Sequence, residues 1–274
     1  MPDFSKLLKS ARDDVHLCIE IWSDLLGSLY GDNLVCAYSK GSGVKSWDGK
    51  IDYVPLISDV DIHVHLKPHV PITTDDINSF ELAMKTSMKY EERFLEARSE
   101  HLHIPRTQIT FVRMLEDMIN YVAPRASDVH LLIGRFKETK PLSAERIREI
   151  DYDQLLSMKP FLEDIPRTLI DRTGLDLWNL LRRLTWRVSP SPVRLITQKH
   201  EDPYEVWTWN RTRILSELEA MEHDTIAQNY RDFYDAGWRL FLSDFSDSGF
   251  YREMIEHGYH LLWGCVREVQ EITS

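Results

Sequence analysis

Between Val35 and Leu66 the chain reads VCAYSKGSGVKSWDGKIDYVPLISDVDIHVHL, and this stretch limits the possible folds more than any other. An apolar run ends at Gly41-Ser42-Gly43. After a polar connection, Asp59 and Asp61 stand one residue apart inside a second apolar run. Side chains of an extended strand alternate faces. Asp59 and Asp61 therefore share one face, and Val60, Ile62, Val64 and Leu66 point the other way, into a core. Two carboxylates side by side on one strand repel each other. A hard divalent cation, which favours oxygen ligands, relieves that repulsion. A glycine-bearing turn just ahead of such a pair lets backbone N–H groups approach a phosphate. The pattern points to a metal ion and a polyphosphate.

The rest of the first half supplies the frame for this pair. Apolar residues at helical spacing from Leu7 to Leu26 predict a helix over Ser5–Leu29, stopped at Gly31-Asp32-Asn33. Leu34 to Tyr38 reads as a strand, Ser46 to Pro55 as a polar loop and Leu56 to Leu66 as the aspartate-bearing strand, ended by Pro68 and Pro71. Thr73-Thr74-Asp75-Asp76 reads as the cap of a helix reaching Arg98, with Phe80, Leu82, Met84, Met88 and Phe94 among its apolar residues. Arg106–Val112 and Val129–Ile133 read as further strands. After Pro141 nearly everything reads as helix: one opening at Ser143-Ala144-Glu145-Arg146, then Asp176–Arg187, Trp207–Met221, Thr225–Leu242 and Phe250–Ile272. Pro190, Pro192 and Pro203 mark the breaks. The expected architecture is α+β: a mixed β-sheet flanked by helices in residues 1–140, then a helical bundle domain in 141–274.

Charge narrows the partners. With 33 Lys and Arg against 44 Asp and Glu, the net charge is −11. A general nucleic-acid binder needs the opposite excess to meet phosphates, so the sequence gives no strong sign of nucleic acid. The three cysteines, Cys18, Cys36 and Cys265, are far apart and form no CxxC, which excludes a zinc cluster or disulfide framework. No window reaches the roughly 20 apolar residues that span a bilayer, and no secretion signal opens the chain. The expectation is a soluble cytoplasmic protein without a membrane partner.

Strand, Gly-Ser turn, connection and Asp-x-Asp on the next strand together resemble the nucleotidyltransferase superfamily that includes DNA polymerase beta. Within it, the order of a catalytic domain before a helical bundle is closest to the antibiotic (aminoglycoside) nucleotidyltransferases. The matching residues are Gly41 and Ser42 for the phosphate turn and Ser58-Asp59-Val60-Asp61 for the metal strand. The resemblance implies that Asp59 and Asp61 are catalytic and hold Mg²⁺ or Mn²⁺, and that Gly41, Ser42 and the nearby Lys45 bind the phosphates of a nucleoside triphosphate substrate. Lys40 flanks the same turn. A hydroxyl of a small-molecule acceptor would attack the α-phosphate and release pyrophosphate. The chain departs from the family pattern twice. The connection from Ser42 to Asp59 is longer, by an extra loop over Ser46–Tyr53. The next core strand, RTQITFV, carries the neutral Gln108 where the family places a third carboxylate, and an amide takes no proton near neutral pH. Glu100, Glu116 and Asp117 are the nearest acids flanking that strand. Gln108 favours one alternative, a nucleotide-sensing or partner-binding module without catalysis; a further alternative is a nucleotidyltransferase of the toxin–antitoxin type that modifies proteins.

Other residues read more plainly. His63 and His65 continue the aspartate face, but four alternate residues span about 20 Å end to end, too far for one metal. They are expected to be solvated or hydrogen-bonded, and His101 with His103 likewise. Arg252 and His257 fit the Arg-x4-His spacing of small helical ribonucleases, yet five residues on a helix are not cofacial. The tail's aromatics, Trp178 to Trp263, read as core, and Asp176, Glu205 and Glu217 as acids that a cationic acceptor would find attractive.

Overall fold

The computed structural model describes residues 3–68, 70, 77–116, 118, 120–174 and 176–272. The chain divides into two compact units: Met1–Lys45 with Ser58–Pro141, and Ser46–Ile57 with Leu142–Ser274. A single cut at residue 140 does not describe it. The connection between Ser42 and Asp59 leaves the first unit at Lys45, becomes part of the second, and returns at Ser58.

The first unit opens with α1 (Phe4–Tyr30), whose N-terminus is capped by the Asp3 carboxylate accepting from the Lys6 N–H. Ala11, Val15, Cys18, Ile19, Trp22, Leu25 and Leu26 form its buried face. Fully burying a Val, Leu or Ile contributes roughly 1.5–3 kcal/mol, so this face explains why the helix folds against the sheet. Then come β1 (Leu34–Lys40), β2 (Val60–Leu66), α2 (Ile77–Ala97), β3 (Thr107–Phe111), a short α3 (Arg113–Glu116) and β4 (His130–Gly134). The four strands form one mixed sheet in the order β3-β2-β1-β4. β1 runs antiparallel to both β2 and β4, and β2 runs parallel to β3. Val60, Ile62 and Val64 are buried, as their alternation requires.

Three local expectations change. The aspartate strand begins at Val60 rather than Leu56, because a turn occupies 55–57 and Leu56 takes a left-handed φ of +64°. Residues 46–57 are not a solvated loop: Ile51, Asp52, Tyr53 and Val54 are buried. Along α2, Phe94 is buried, but Phe80, Leu82, Met84 and Met88 are exposed. The cap expected at Thr73–Asp76 lies outside the described residues. One acid in α1 has a structural role that the hydrophobic pattern does not reveal. Asp14 is fully buried and accepts from the Arg98 Nε–H and from the backbone N–H groups of Leu102 and His103. It ties α1 to the connection between α2 and β3.

The second unit is helical: α4 (Ala144–Leu156), α5 (Lys159–Asp171), α6 (Asp176–Val188), α7 (Pro190–Thr197), α8 (Pro203–Thr208), α9 (Arg211–Ala220), α10 (Asp224–Leu242) and α11 (Ser248–Ile272). Ser143 caps α4, accepting from the Arg146 N–H at 3.2 Å. Phe233, Trp238, Leu261, Leu262 and Val266 are among its buried core residues. Pro190 and Pro203 open α7 and α8 rather than merely breaking helices, since a first-turn residue needs no N–H donor. The single helix expected over Trp207–Met221 is two. Trp209 is extended at ψ 145°, and the Asn210 side chain caps the next helix by accepting from the Arg213 N–H at 2.9 Å.

Segment 46–57 is fixed within this unit by polar contacts. The Asp52 carboxylate accepts from the Asp48 and Gly49 N–H groups at 2.8 and 2.7 Å, and from the Thr212 N–H and hydroxyl at 2.8 Å each. Arg211 donates to the carbonyls of Ile51 and Asp52, and its guanidinium sits 4.1 Å from the centre of the Tyr234 ring. Trp238 donates to the Lys50 carbonyl at 2.7 Å. Among the described residues, no helix is long and apolar enough to cross a membrane.

Candidate functional site

The sheet register assembles the site within the first unit. Lys40 on β1 pairs with Asp61 on β2, and Asp61 pairs with Gln108 on β3. Cross-strand partners point to the same face, so a cation, a carboxylate and an amide form one row. Asp59 precedes β2 by one residue, and an Arg106 guanidinium nitrogen lies 3.3 Å from its Oδ2. The Val60 N–H donates to the Arg106 carbonyl at 2.9 Å, which sets this pair beside the row. On the opposite face, the Ser39 hydroxyl donates to the Asp61 carbonyl at 2.8 Å and fixes β1 against β2.

Gly41-Ser42-Gly43 forms a single 3-10 turn leaving β1. Gly41 has φ +78°, a left-handed conformation that glycine adopts without steric cost. A Cβ at this position would stand 2.6 Å from Oδ2 of Asp61. The turn and the aspartate are therefore in direct contact, and only a glycine leaves room for the carboxylate. Lys45 follows, its N–H donating to the Gly41 carbonyl at 3.2 Å, and Arg12 on α1 donates to the Lys45 carbonyl at 3.0 Å.

The electrostatics of the row are unbalanced. Burial and the neighbouring Asp59 raise the Asp61 carboxyl to about 7, against the pull of Lys40, Arg106 and Lys45. Burial lowers the Lys40 ammonium below its usual value, and Asp61 partly restores it. A carboxyl raised by burial and a like charge is stabilised by an added positive charge. Two oxygen-donor carboxylates on one face suit Mg²⁺ or Mn²⁺ rather than a soft metal. Among the described residues, no group of three or more His, Cys, Asp or Glu side chains is placed to hold a metal. The donors thus fit a cation that takes its remaining ligands from water or from phosphate oxygens.

The remaining expected residues divide clearly. Gln108 is exposed, directly beside Asp61. Asp117 lies outside the described residues. Glu116 acts electrostatically on His65 and Tyr121. His65 is four residues along β2 from Asp61, roughly 13 Å at the rise of a strand. His63 corrects the expectation of a solvated histidine. It is 5% exposed, its ring stacks on Tyr38 with centroids 5.1 Å apart, and among the described residues its Nδ1 has no hydrogen-bond partner. Tyr38 in turn meets Phe136 edge-on at 5.1 Å. An aromatic layer covers the sheet next to the acidic row and excludes water from His63. Burial then lowers the His63 imidazole to about 3.

His103 is buried with Nδ1 3.2 Å from Asp14, and His101 Nδ1 meets the Arg98 carbonyl. Arg252 and His257 are not brought together. Arg252 donates to the Ser248 carbonyl of its own helix, and His257 Nδ1 lies 3.1 Å from the Asn229 side chain. Arg106 is the residue that sequence reasoning passed over, although the signal was present. Once Gln108 is aligned with Asp61, the residue two earlier falls beside Asp59.

Protein-family models, curated proteins and solved structures were all compared with this chain, and none matches.

Proposed function

We propose that this protein is a divalent-metal-dependent nucleotidyltransferase that moves a nucleoside monophosphate from a nucleoside triphosphate to a hydroxyl of a small molecule. The observation that carries the reading is the contact between the turn and the strand: Gly41 is cleared for the Asp61 carboxylate, in a row with Lys40 and Gln108. Asp59 and Asp61 would hold a Mg²⁺ or Mn²⁺ ion, which would supply positive charge against the phosphate oxygens of the triphosphate. The Gly41–Gly43 turn, with Lys45 and Lys40, receives the outer phosphates. The acceptor oxygen bonds to the α-phosphorus, the bond to the β-phosphate breaks, and pyrophosphate leaves. Gln108 takes no proton, so the proton of the acceptor hydroxyl passes to water or to an acid outside the row. Incubation with Mg²⁺, each of the four ribonucleotides and a panel of small hydroxylated acceptors tests this. Pyrophosphate release that vanishes in Asp59→Asn and Asp61→Asn supports it. No release with any acceptor, in wild type and Gln108→Glu alike, would falsify turnover.

Gln108 itself favours a second reading, a nucleotide-sensing module on the same row. Calorimetry separates the two: binding of a triphosphate without pyrophosphate release supports the sensor. Modification of proteins, the third possibility, would add the mass of one nucleotide to this chain or to a partner after incubation with ATP.

A further inference from the structure

The outer face of α2 carries an apolar stripe edged by charges that a reversed copy of the same helix would match. Its inner face is fixed on α1: Tyr90 stacks on Trp22 with ring centroids 5.2 Å apart, Phe94 is buried, and Arg93 meets Asp24 at 2.8 Å. At the helical repeat, Met84, Met88 and Leu95 fall within about 40° of one another, roughly 120° round from Tyr90 and Phe94. They are 48%, 54% and 46% exposed, and Phe80, 61% exposed, continues the stripe toward the start of the helix. Single exposed apolar side chains are ordinary, but a stripe of them over about four turns marks an interaction face. Along the edge of the stripe farther from Tyr90 and Phe94 run the exposed Lys85, Lys89, Glu92 and Glu96. Lys85 and Lys89 stand four residues apart, as do Glu92 and Glu96, a spacing at which like charges on one helix repel.

We propose that α2 pairs with α2 of a second copy of this chain, antiparallel, about a two-fold axis at the level of Tyr90. The order of the charges names the partner. Two lysines come first and two glutamates follow, so a copy turned end for end sets opposite charges together along the edge. In that register Met84 falls opposite Leu95 of the second copy, Lys85 beside its Glu96 and Lys89 beside its Glu92, and the two-fold axis repeats each contact. Each helix answers the charges that repel one another within its partner. Glu91 lies inside the stripe, among the apolar side chains, and keeps the pairing weak. The paired stretch, Met84 to Glu96, is roughly 18 Å long and buries less than a permanent dimer needs. The dimer is therefore reversible, with a dissociation constant on the order of 10–100 µM. The inference goes beyond the nucleotidyltransferase reading and uses none of its residues.

Sedimentation velocity on the full chain, from about 1 µM to 1 mM, tests the proposal, with circular dichroism confirming that each variant keeps its helix content. Wild type is expected to pass from monomer to dimer across this range. Met84→Glu, Lys85→Glu and Glu96→Lys are each expected to weaken the dimer at least tenfold. Lys85→Glu and Glu96→Lys combined in one chain restore the opposite charges across the two-fold axis, and should return the dissociation constant to within about threefold of wild type. Glu91→Leu should tighten the dimer at least tenfold, because it removes the charge from the stripe. A chain that stays monomeric throughout overturns the proposal. So does a dimer that Met84→Glu leaves unchanged, or a double charge reversal that dimerises no better than either single one.

Discussion

Two aspartates of this chain, the buried Asp52 and the half-buried Asp61, sit nine residues apart in sequence and in opposite circumstances. Asp52 accepts four hydrogen bonds, from Asp48, Gly49 and twice from Thr212. Its charge is fully answered by fixed donors within the helical unit. Asp61 faces a second carboxylate, and burial with that neighbour raises it to about 7. A satisfied buried acid holds backbone in place. An acid that burial and a like charge push toward its neutral form marks a candidate functional site instead. The same contrast separates Asp14, held by Arg98, Leu102 and His103, from Asp59, which has an Arg106 guanidinium nitrogen at 3.3 Å.

Substitutions can break or sharpen this contrast. Asp61→Asn is expected to cut pyrophosphate release about a thousandfold, equivalent to about 4 kcal/mol of transition-state stabilisation. Its melting temperature should not fall, because one of two repelling acids has gone. A large drop in stability would put Asp61 in the same class as Asp52. Asp52→Ala should do the reverse and strand buried donors. The urea midpoint should fall by an equivalent of about 3 kcal/mol or more at unchanged slope.

His63 sharpens the comparison through pH. Burial keeps the folded imidazole neutral down to about 3, whereas the unfolded chain takes up its proton near 6.5. Acid therefore favours the unfolded chain, and stability is lost as pH falls below 6.5. Between pH 7.5 and 5 this one group should cost about 2 kcal/mol. His63→Phe keeps a ring against Tyr38 and should remove that part of the pH dependence. Equal pH slopes in the two proteins would show that His63 is charged or solvated in the fold. Gly41→Ala should lower stability by about 1 kcal/mol, the cost of a left-handed residue with a side chain. Its effect on nucleotide binding should be larger, because the new methyl group displaces the Asp61 carboxylate. Unchanged binding in Gly41→Ala would separate the turn from the site.

Much of this was legible in the sequence because strand alternation is local. Val60, Ile62 and Val64 fall into the core as the pattern requires, and the α+β division follows from where strands stop and helices take over. Pairing between strands is not local. Lys40, Asp61 and Gln108 come from three strands, and only the register shows that they form one row. The fate of residues 46–57 was hidden for a similar reason. Their polar composition suggests solvent, but Asp52 accepts from Thr212 across 160 residues of sequence, and Asn210 donates to Ser46 and Asp48. The burial of His63 depends on Tyr38 and Phe136 from two other segments.

The central claim is that the face bearing Asp59 and Asp61 binds the phosphates of a nucleotide through a divalent cation. A crystal soaked with Mn²⁺ and an uncleavable nucleoside triphosphate analogue tests it most directly. The account predicts an anomalous peak at coordination distance from the carboxylates of Asp59 and Asp61, with the phosphates lying along Gly41–Gly43. Nucleotide bound elsewhere, or a peak that avoids both aspartates, would contradict it.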